Sequence, residues 1–303
     1  MARKENFILW LLKKVKNKYF YLSTVIIDKL FPFVYIAHGK KIANNIVTEI
    51  AKTSFIVSPI QTLEIIAEML QSEKPGAYMR FGDGDIFLLT GKNDMLQNVD
   101  NNLASEMKEA FSLKGEGLIK TLSIHSDIYG KEKEMFVGNF VQTEKIAHEL
   151  MLPIFQWFVG YKIFSPVALH YIASYYPEKA NEFLRLLKTK ACLFIGNTDV
   201  PAEVIYKLFG EVQHIKTPSR NAFIAIDEVE QIALEKLQNQ NNFGVVVIAM
   251  GCSGRILMKR LYKSNNNLFY FDFGSLLDGI CNNISRVWLE KVQIDYSILL
   301  KGL

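Results

Sequence analysis

Apolar residues recur at helical spacing over residues 59–72, where Leu63, Ile66, Met69 and Leu70 share one face. Residues 243–250 (FGVVVIAM) show a different pattern: uncharged, β-branched and too short for a helix. That run predicts a strand. Further strands are predicted at 76–81, 118–124, 191–195, 212–215 and 268–273. Helices are predicted at 101–113, 178–188, 200–208, 223–238 and 255–263, and over most of 131–160 with a break at Pro153. Strands that alternate with helices predict an α/β fold with a Rossmann-like, mostly parallel sheet flanked by helices. This domain spans residues 59–303.

Residues 1–58 break the pattern and form a separate N-terminal helical segment. Apolar clusters there are interleaved with lysines, and Asp28, Lys29 and Pro32 interrupt the longest of them. No uninterrupted run approaches the roughly 20 residues that cross a bilayer. The first cluster is also too short for a secretory core, and no small-residue cleavage site follows it. Residues 1–41 hold nine Lys or Arg against Glu5 and Asp28, which gives about +7. The whole chain carries +4, so the rest carries about −3 on the same convention. The basic pI therefore does not describe the body of the protein, and nucleic-acid binding is not indicated. Two readings of the segment stand. It lies on an anionic membrane surface with lysines at the phosphates, or it packs on the body or on a second copy in a homo-oligomer. The three cysteines, Cys192, Cys252 and Cys281, form no C-x-x-C pair and suit a reducing compartment. The expected location is the cytoplasm, with the inner face of the membrane as the place where the first reading would hold it.

Four segments at strand ends could carry chemistry. RFGDGD (80–85) sets Asp83 and Asp85 two apart across a glycine, a spacing that lets two carboxylates meet one hard cation such as Mg²⁺ or Mn²⁺. Arg80 would add charge-assisted bonds to a phosphate, and Gly82 would let backbone approach it. An Asp-Gly turn without a ligand is the alternative. MGCSG (250–254) precedes a helix, so Gly251 and Ser253 could face an anion at free N–H groups; it matches no dinucleotide or P-loop fingerprint. TPSRNAF (217–223) offers Ser219, Arg220 and Asn221 to a nucleotide, or simply caps a helix. SIHSDIY (123–129) holds Asp127, a candidate general base.

Taken together, these segments resemble the bacterial GT-D-type glycosyltransferases, a family once known only as a domain of unknown function. The resemblance covers roughly residues 60–280. It runs through RFGDGD (80–85), SDIYG (126–130), Gly196 with the polar turn at Asn197, PSRNAF (218–223), the glycine loop at Gly251 and FDFG (271–274). Asp85 stands where the family usually has Glu. The resemblance implies transfer of a sugar, commonly from a UDP-linked donor, to a glycan, glycoprotein or lipid-linked acceptor in surface-glycan assembly. It also implies Mn²⁺ or Mg²⁺ at Asp83 and Asp85, with Asp83, Asp85 and Asp127 catalytic. Arg80, Gly82, Gly196, Asn197, Ser219, Arg220, Asn221, Gly251 and Ser253 would hold the donor nucleotide. Two rivals use the same residues differently: a nucleotidyl- or phosphotransferase, and a non-catalytic membrane-associated scaffold.

Overall fold

The computed structural model describes residues 55–89, 91, 93–122, 162–264, 267–282, 289 and 294–303. Six strands form one parallel sheet: β2 (Gly76–Met79), β3 (Leu118–Lys120), β5 (Ala191–Asn197), β6 (Gln213–Thr217), β7 (Gly244–Ala249) and β8 (Leu268–Asp272). Their order is β3-β2-β8-β7-β5-β6. A short parallel pair, β1 (Phe55–Ile56) with β4 (Lys162–Ile163), continues from β3 through a bridge between Thr121 and Phe164.

Alternation along each strand divides the core. Ala77, Met79, Ile195, Val246, Ile248 and Tyr270 face one layer, packed against α2 (Asp83–Leu89), α3 (Asn101–Ser112), α7 (Ile226–Leu237) and α8 (Ser253–Ser264). Tyr78, Phe194, Val245, Val247, Phe269 and Phe271 face the other. That layer holds α1 (Pro59–Gln71), α4 (Ala168–Tyr175), α5 (Pro177–Lys190), α6 (Ala202–Phe209), α9 (Leu276–Ile280) and α10 (Tyr296–Leu299). Burial on both faces explains the continuous apolar run of β7. Phe271 is fully buried and touches the rings of Tyr78, Phe183 and Phe273 at 5.4, 5.5 and 6.3 Å, so its loss to alanine should cost about 3–5 kcal/mol.

Local chemistry sets the helix boundaries. Ser58 caps α1 by accepting from Gln61 N–H at 3.2 Å, and Asp100 caps α3 by accepting from Leu103 N–H at 2.8 Å. A partly buried charge cluster, with Glu109 and Asp227 at its exposed rim, joins three helices of the first layer. Lys259 meets Glu106 and Glu109 at 2.5 and 2.9 Å, and Arg260 meets Glu106, Asp227 and Glu230 at 2.5–2.8 Å.

Six short elements were not foreseen: β1, α2, β4, α4, α9 and α10. The most consequential is α2. The segment expected as a glycine turn starts a helix at Asp83, so Asp83 and Asp85 stand roughly 200° apart around a helix axis rather than on a turn. The predicted helical stretch 131–160, Asp127, His125 and nearly all of the N-terminal segment lie outside the described residues. No described helix is long and apolar enough to cross a membrane.

Candidate active site

The carboxyl ends of five parallel strands open onto one cleft of about 260 Å³. Connections leave in opposite directions at the β5/β7 junction, since β5 leads to β6 on one side and β7 to β8 on the other. Clefts in open α/β sheets form at such a switch point. Arg80, Gly82 and Asp85 reach it from β2 and α2, Asn197 from β5, Thr217 and Ser219 from β6, Gly251 and Arg255 from β7 and α8, and Asp272 from β8.

Two arginines and two carboxylates form its charged end. Arg255 Nε lies 3.3 Å from Asp272 Oδ2 and 3.5 Å from Asp85 Oδ2, and it donates to the Arg80 carbonyl at 2.5 Å. Arg80 Nη1 lies 3.7 Å from Asp272 Oδ1, so Asp272 sits between both guanidinium groups. Arg80 Nε also donates to the Pro166 carbonyl, and its Nη2 lies 3.4 Å from His170 Nε2. The Leu276 N–H donates to the same His170 nitrogen at 3.1 Å. Gly274 is left-handed (φ 69°), and a side chain there would overlap the Arg80 guanidinium. The glycine of FDFG is therefore the space that Arg80 occupies.

Asp85 is buried, at 1% exposure. Its Oδ2 accepts from Gly82 N–H at 2.7 Å, whereas its Oδ1 has no hydrogen-bond partner among the described residues. Burial raises its pKa from 3.8 to about 6, against the pull of Arg255 and the Gly82 N–H, with Asp272 and Asp94 adding to the rise. Arg255 is pulled down by burial, but Asp272 and Asp85 more than offset this and hold it protonated. Burial and then the Asp85 charge push the Cys252 thiol well above its ordinary value, so it stays neutral.

The expected residues are not all brought together. Arg80, Gly82, Asp85, Asn197, Ser219, Asn221 and Gly251 line the cleft. Asp83 opens α2 beside it, although its side chain is not described. Asn221 works as a clasp: it is left-handed (φ 51°), its N–H donates to the Leu96 carbonyl, and its Oδ1 accepts from Asn98 N–H at 2.8 Å. It ties the 218–221 loop to residues 94–98.

Three expectations need correction. Gly196 lies inside β5, where a side chain would press on the Phe194 ring; its role is packing. Arg220 is exposed and reaches the Met95 carbonyl at 3.4 Å instead of the cleft. Ser253 is 1% exposed and turns inward, donating to Gln97 Oε1 at 3.0 Å. The residues missed are Arg255, Asp272, Asp94 and Thr217. Asp272 carried a signal, being the carboxylate of FDFG at a strand end. Arg255 carried less, since only the strand order shows that α8 begins beside β2.

A sequence profile described as "Glycosyltransferase GT-D fold" matches residues 78–276. Comparison with curated proteins gives no match. Among solved structures, a selenomethionine-substituted domain of unknown function 1792 (DUF1792) is 16% identical, with TM-score 0.59, over 88% of this chain and 94% of that one. A structure described as a new glycosyltransferase (DUF1792) from Streptococcus sanguinis is 17% identical, with TM-score 0.53, over 82% and 93%. A third, described as a distinct glycosyltransferase fold of the same domain, is 15% identical, with TM-score 0.58, over 89% and 94%. At such identities these three likenesses speak for the fold alone, while the profile spans well over half the chain: the protein belongs to the GT-D-fold glycosyltransferase family.

Proposed function

We propose that the cleft transfers a sugar from a nucleoside diphosphate sugar, UDP-linked, to a hydroxyl of a glycan, glycoprotein or lipid-linked acceptor. The observation that carries this reading is the pair of guanidinium groups, Arg80 and Arg255, at one end of a polar cleft. When the bond between the sugar carbon and the diphosphate breaks, the electron pair leaves with the diphosphate. Two fixed cations there stabilise the charge where it develops. Asp272 sets their positions, and Gly274 leaves room for Arg80.

A divalent cation, Mn²⁺ or Mg²⁺, fits the donor set in one respect. Asp85 Oδ1 is a buried carboxylate oxygen with no hydrogen-bond partner among the described residues. Those residues hold no group of three or more His, Cys, Asp or Glu side chains placed for a metal. A cation at Asp85, with Asp83 at the start of α2, would thus draw its remaining ligands from diphosphate and water, as Mg²⁺ sites commonly do. Bound there, it would supply further neutralisation of the leaving group. Asp127 remains our candidate base for the acceptor hydroxyl.

The test is a screen of nucleotide sugars with Mn²⁺ and simple acceptors, read as released nucleoside diphosphate. Turnover of a UDP-sugar, lost on adding chelator, supports the reading. Turnover of nucleoside triphosphates alone would replace it with phosphoryl or nucleotidyl transfer. The basic N-terminal segment would hold the enzyme at the inner membrane surface, at about 1 kcal/mol per well-placed Lys or Arg. Flotation with anionic but not neutral liposomes, weakened by salt, checks that part.

A further inference from the structure

The two ends of the cleft differ in chemistry. The β2/β8 end carries Arg80, Arg255, Asp85 and Asp272. The β6 end carries Thr217, with Asn197 paired beside it in register. Four strand steps of about 4.8 Å separate β2 from β6, roughly 19 Å. That length accommodates an extended nucleoside diphosphate sugar, and the charged end selects which way round it lies.

Thr217 is 2% exposed, and its Oγ1 has no hydrogen-bond partner among the described residues. A buried orphan hydroxyl costs stability, so its presence at a cleft calls for a ligand. Its surroundings narrow the choice. Leu96, Val200 and Pro218 line the cleft, together with the polar side chains of Asp94, Gln97, Asn197, Ser219 and Asn221. The chain holds them there: Thr198 N–H donates to the Thr217 carbonyl, Val200 N–H to the Asn197 carbonyl, and Asn221 N–H to the Leu96 carbonyl. This is the end of the cleft furthest from Arg80, where the nucleobase would come to rest in a donor whose diphosphate lies at the two arginines.

We infer that Thr217 reads the nucleobase edge of the donor and is a specificity-determining residue of the cleft. This rests on the reading of the cleft as a nucleotide-sugar site. The hydroxyl both donates and accepts, so it can pair with a carbonyl or a ring N–H of the base. Threonine to valine removes it while keeping the shape.

The experiment is calorimetric titration of UDP, CDP, ADP, GDP and inorganic pyrophosphate into the full chain as wild type, Thr217→Val and Thr217→Ser. Thr217→Val should bind the preferred diphosphate about tenfold more weakly. It should also narrow the spread among bases and leave pyrophosphate affinity unchanged. Its melting temperature without ligand should rise by about 2–4 °C, because the orphan is gone. Thr217→Ser should keep the wild-type preference. A uniform loss across all four bases would place the hydroxyl on the ribose and overturn the inference. So would unchanged affinity in Thr217→Val. Wild type that binds none of the nucleotides would instead overturn the donor reading itself.

Discussion

Asp85 sets burial against attraction, and replacing it decides which dominates. The rise of its pKa from 3.8 to about 6 corresponds to about 3 kcal/mol of differential interaction. The sign follows from proton counts. Between about pH 4 and pH 6 the folded state holds a proton that the unfolded chain has released. Stability contributed by this group is therefore complete below about pH 4 and is lost as pH rises through about 6. At pH 8 the ionised carboxylate costs the fold about 3 kcal/mol. Asp85→Asn keeps the shape and an acceptor for the Gly82 N–H, and it removes the charge. Arg255 loses one counterion but keeps Asp272 at 3.3 Å and the Arg80 carbonyl at 2.5 Å. The variant should therefore be more stable than wild type by about 1–3 kcal/mol at pH 8. That advantage should shrink by about 1.4 kcal/mol at pH 5. Urea unfolding at pH 5, 6, 7 and 8, with chelator present, measures both. The same variant should be inactive. If Asp85→Asn is less stable than wild type at pH 8, the Arg255 attraction outweighs burial and the reasoning fails.

Mn²⁺ with UDP should raise the melting temperature of wild type and leave that of Asp85→Asn unmoved; equal shifts would place the metal elsewhere. Gly274→Ala combines a left-handed backbone with overlap of Arg80, so donor KM should rise and turnover fall at least tenfold, while the fold loses only about 1–2 kcal/mol. Wild-type kinetics in that variant would show that Arg80 does not need its position. Ser253→Asp buries a carboxylate against Gln97 Oε1 and should cost about 3 kcal/mol or more in thermal unfolding. A variant that keeps its stability and loses only donor affinity would mean that residue 253 faces the cleft after all.

The sheet was legible because its strands advertise themselves. β7 is buried on both faces and reads as an uninterrupted apolar run, and the helices of both layers show their spacing. Most of the missed elements are too short to have a period, while α4, with eight residues, is buried at Ala168, Leu169, His170, Ile172 and Ala173 and so shows no polar face to mark one. β1 and β4 are two residues each, α9 five and α10 four. The misread segment at 83–89 has a different cause. Gly84 between two aspartates, with Gly82 just before them, predicts a turn by propensity, but Ile86 and Leu88 are buried in the core, and that packing overrides the local preference.

The site was half legible for a reason that lies in topology. Loops at strand ends can be found one at a time, and three of the four, those holding Arg80, Ser219 and Gly251, line the cleft, while 123–129 lies outside the described residues. What pairs with what depends on strand order, which the linear sequence does not carry. β2 and β8 are neighbours although nearly 200 residues separate them, and this puts Asp272 beside Arg80. Arg255 meets both because α8 starts where β7 ends, one strand further along. The acidic pair at 83 and 85 drew attention because its members are close in sequence. The carboxylates that in fact share an arginine are Asp85 and Asp272, from opposite ends of the chain. Proximity in sequence is thus a poor guide to charge pairing in a parallel sheet, where each crossover sends the chain away before it returns. Thr217 is the first residue of its loop, and nothing in a sequence marks a threonine as unpaired. Its orphaned hydroxyl exists only once β5, β6 and the 94–98 segment have closed around it.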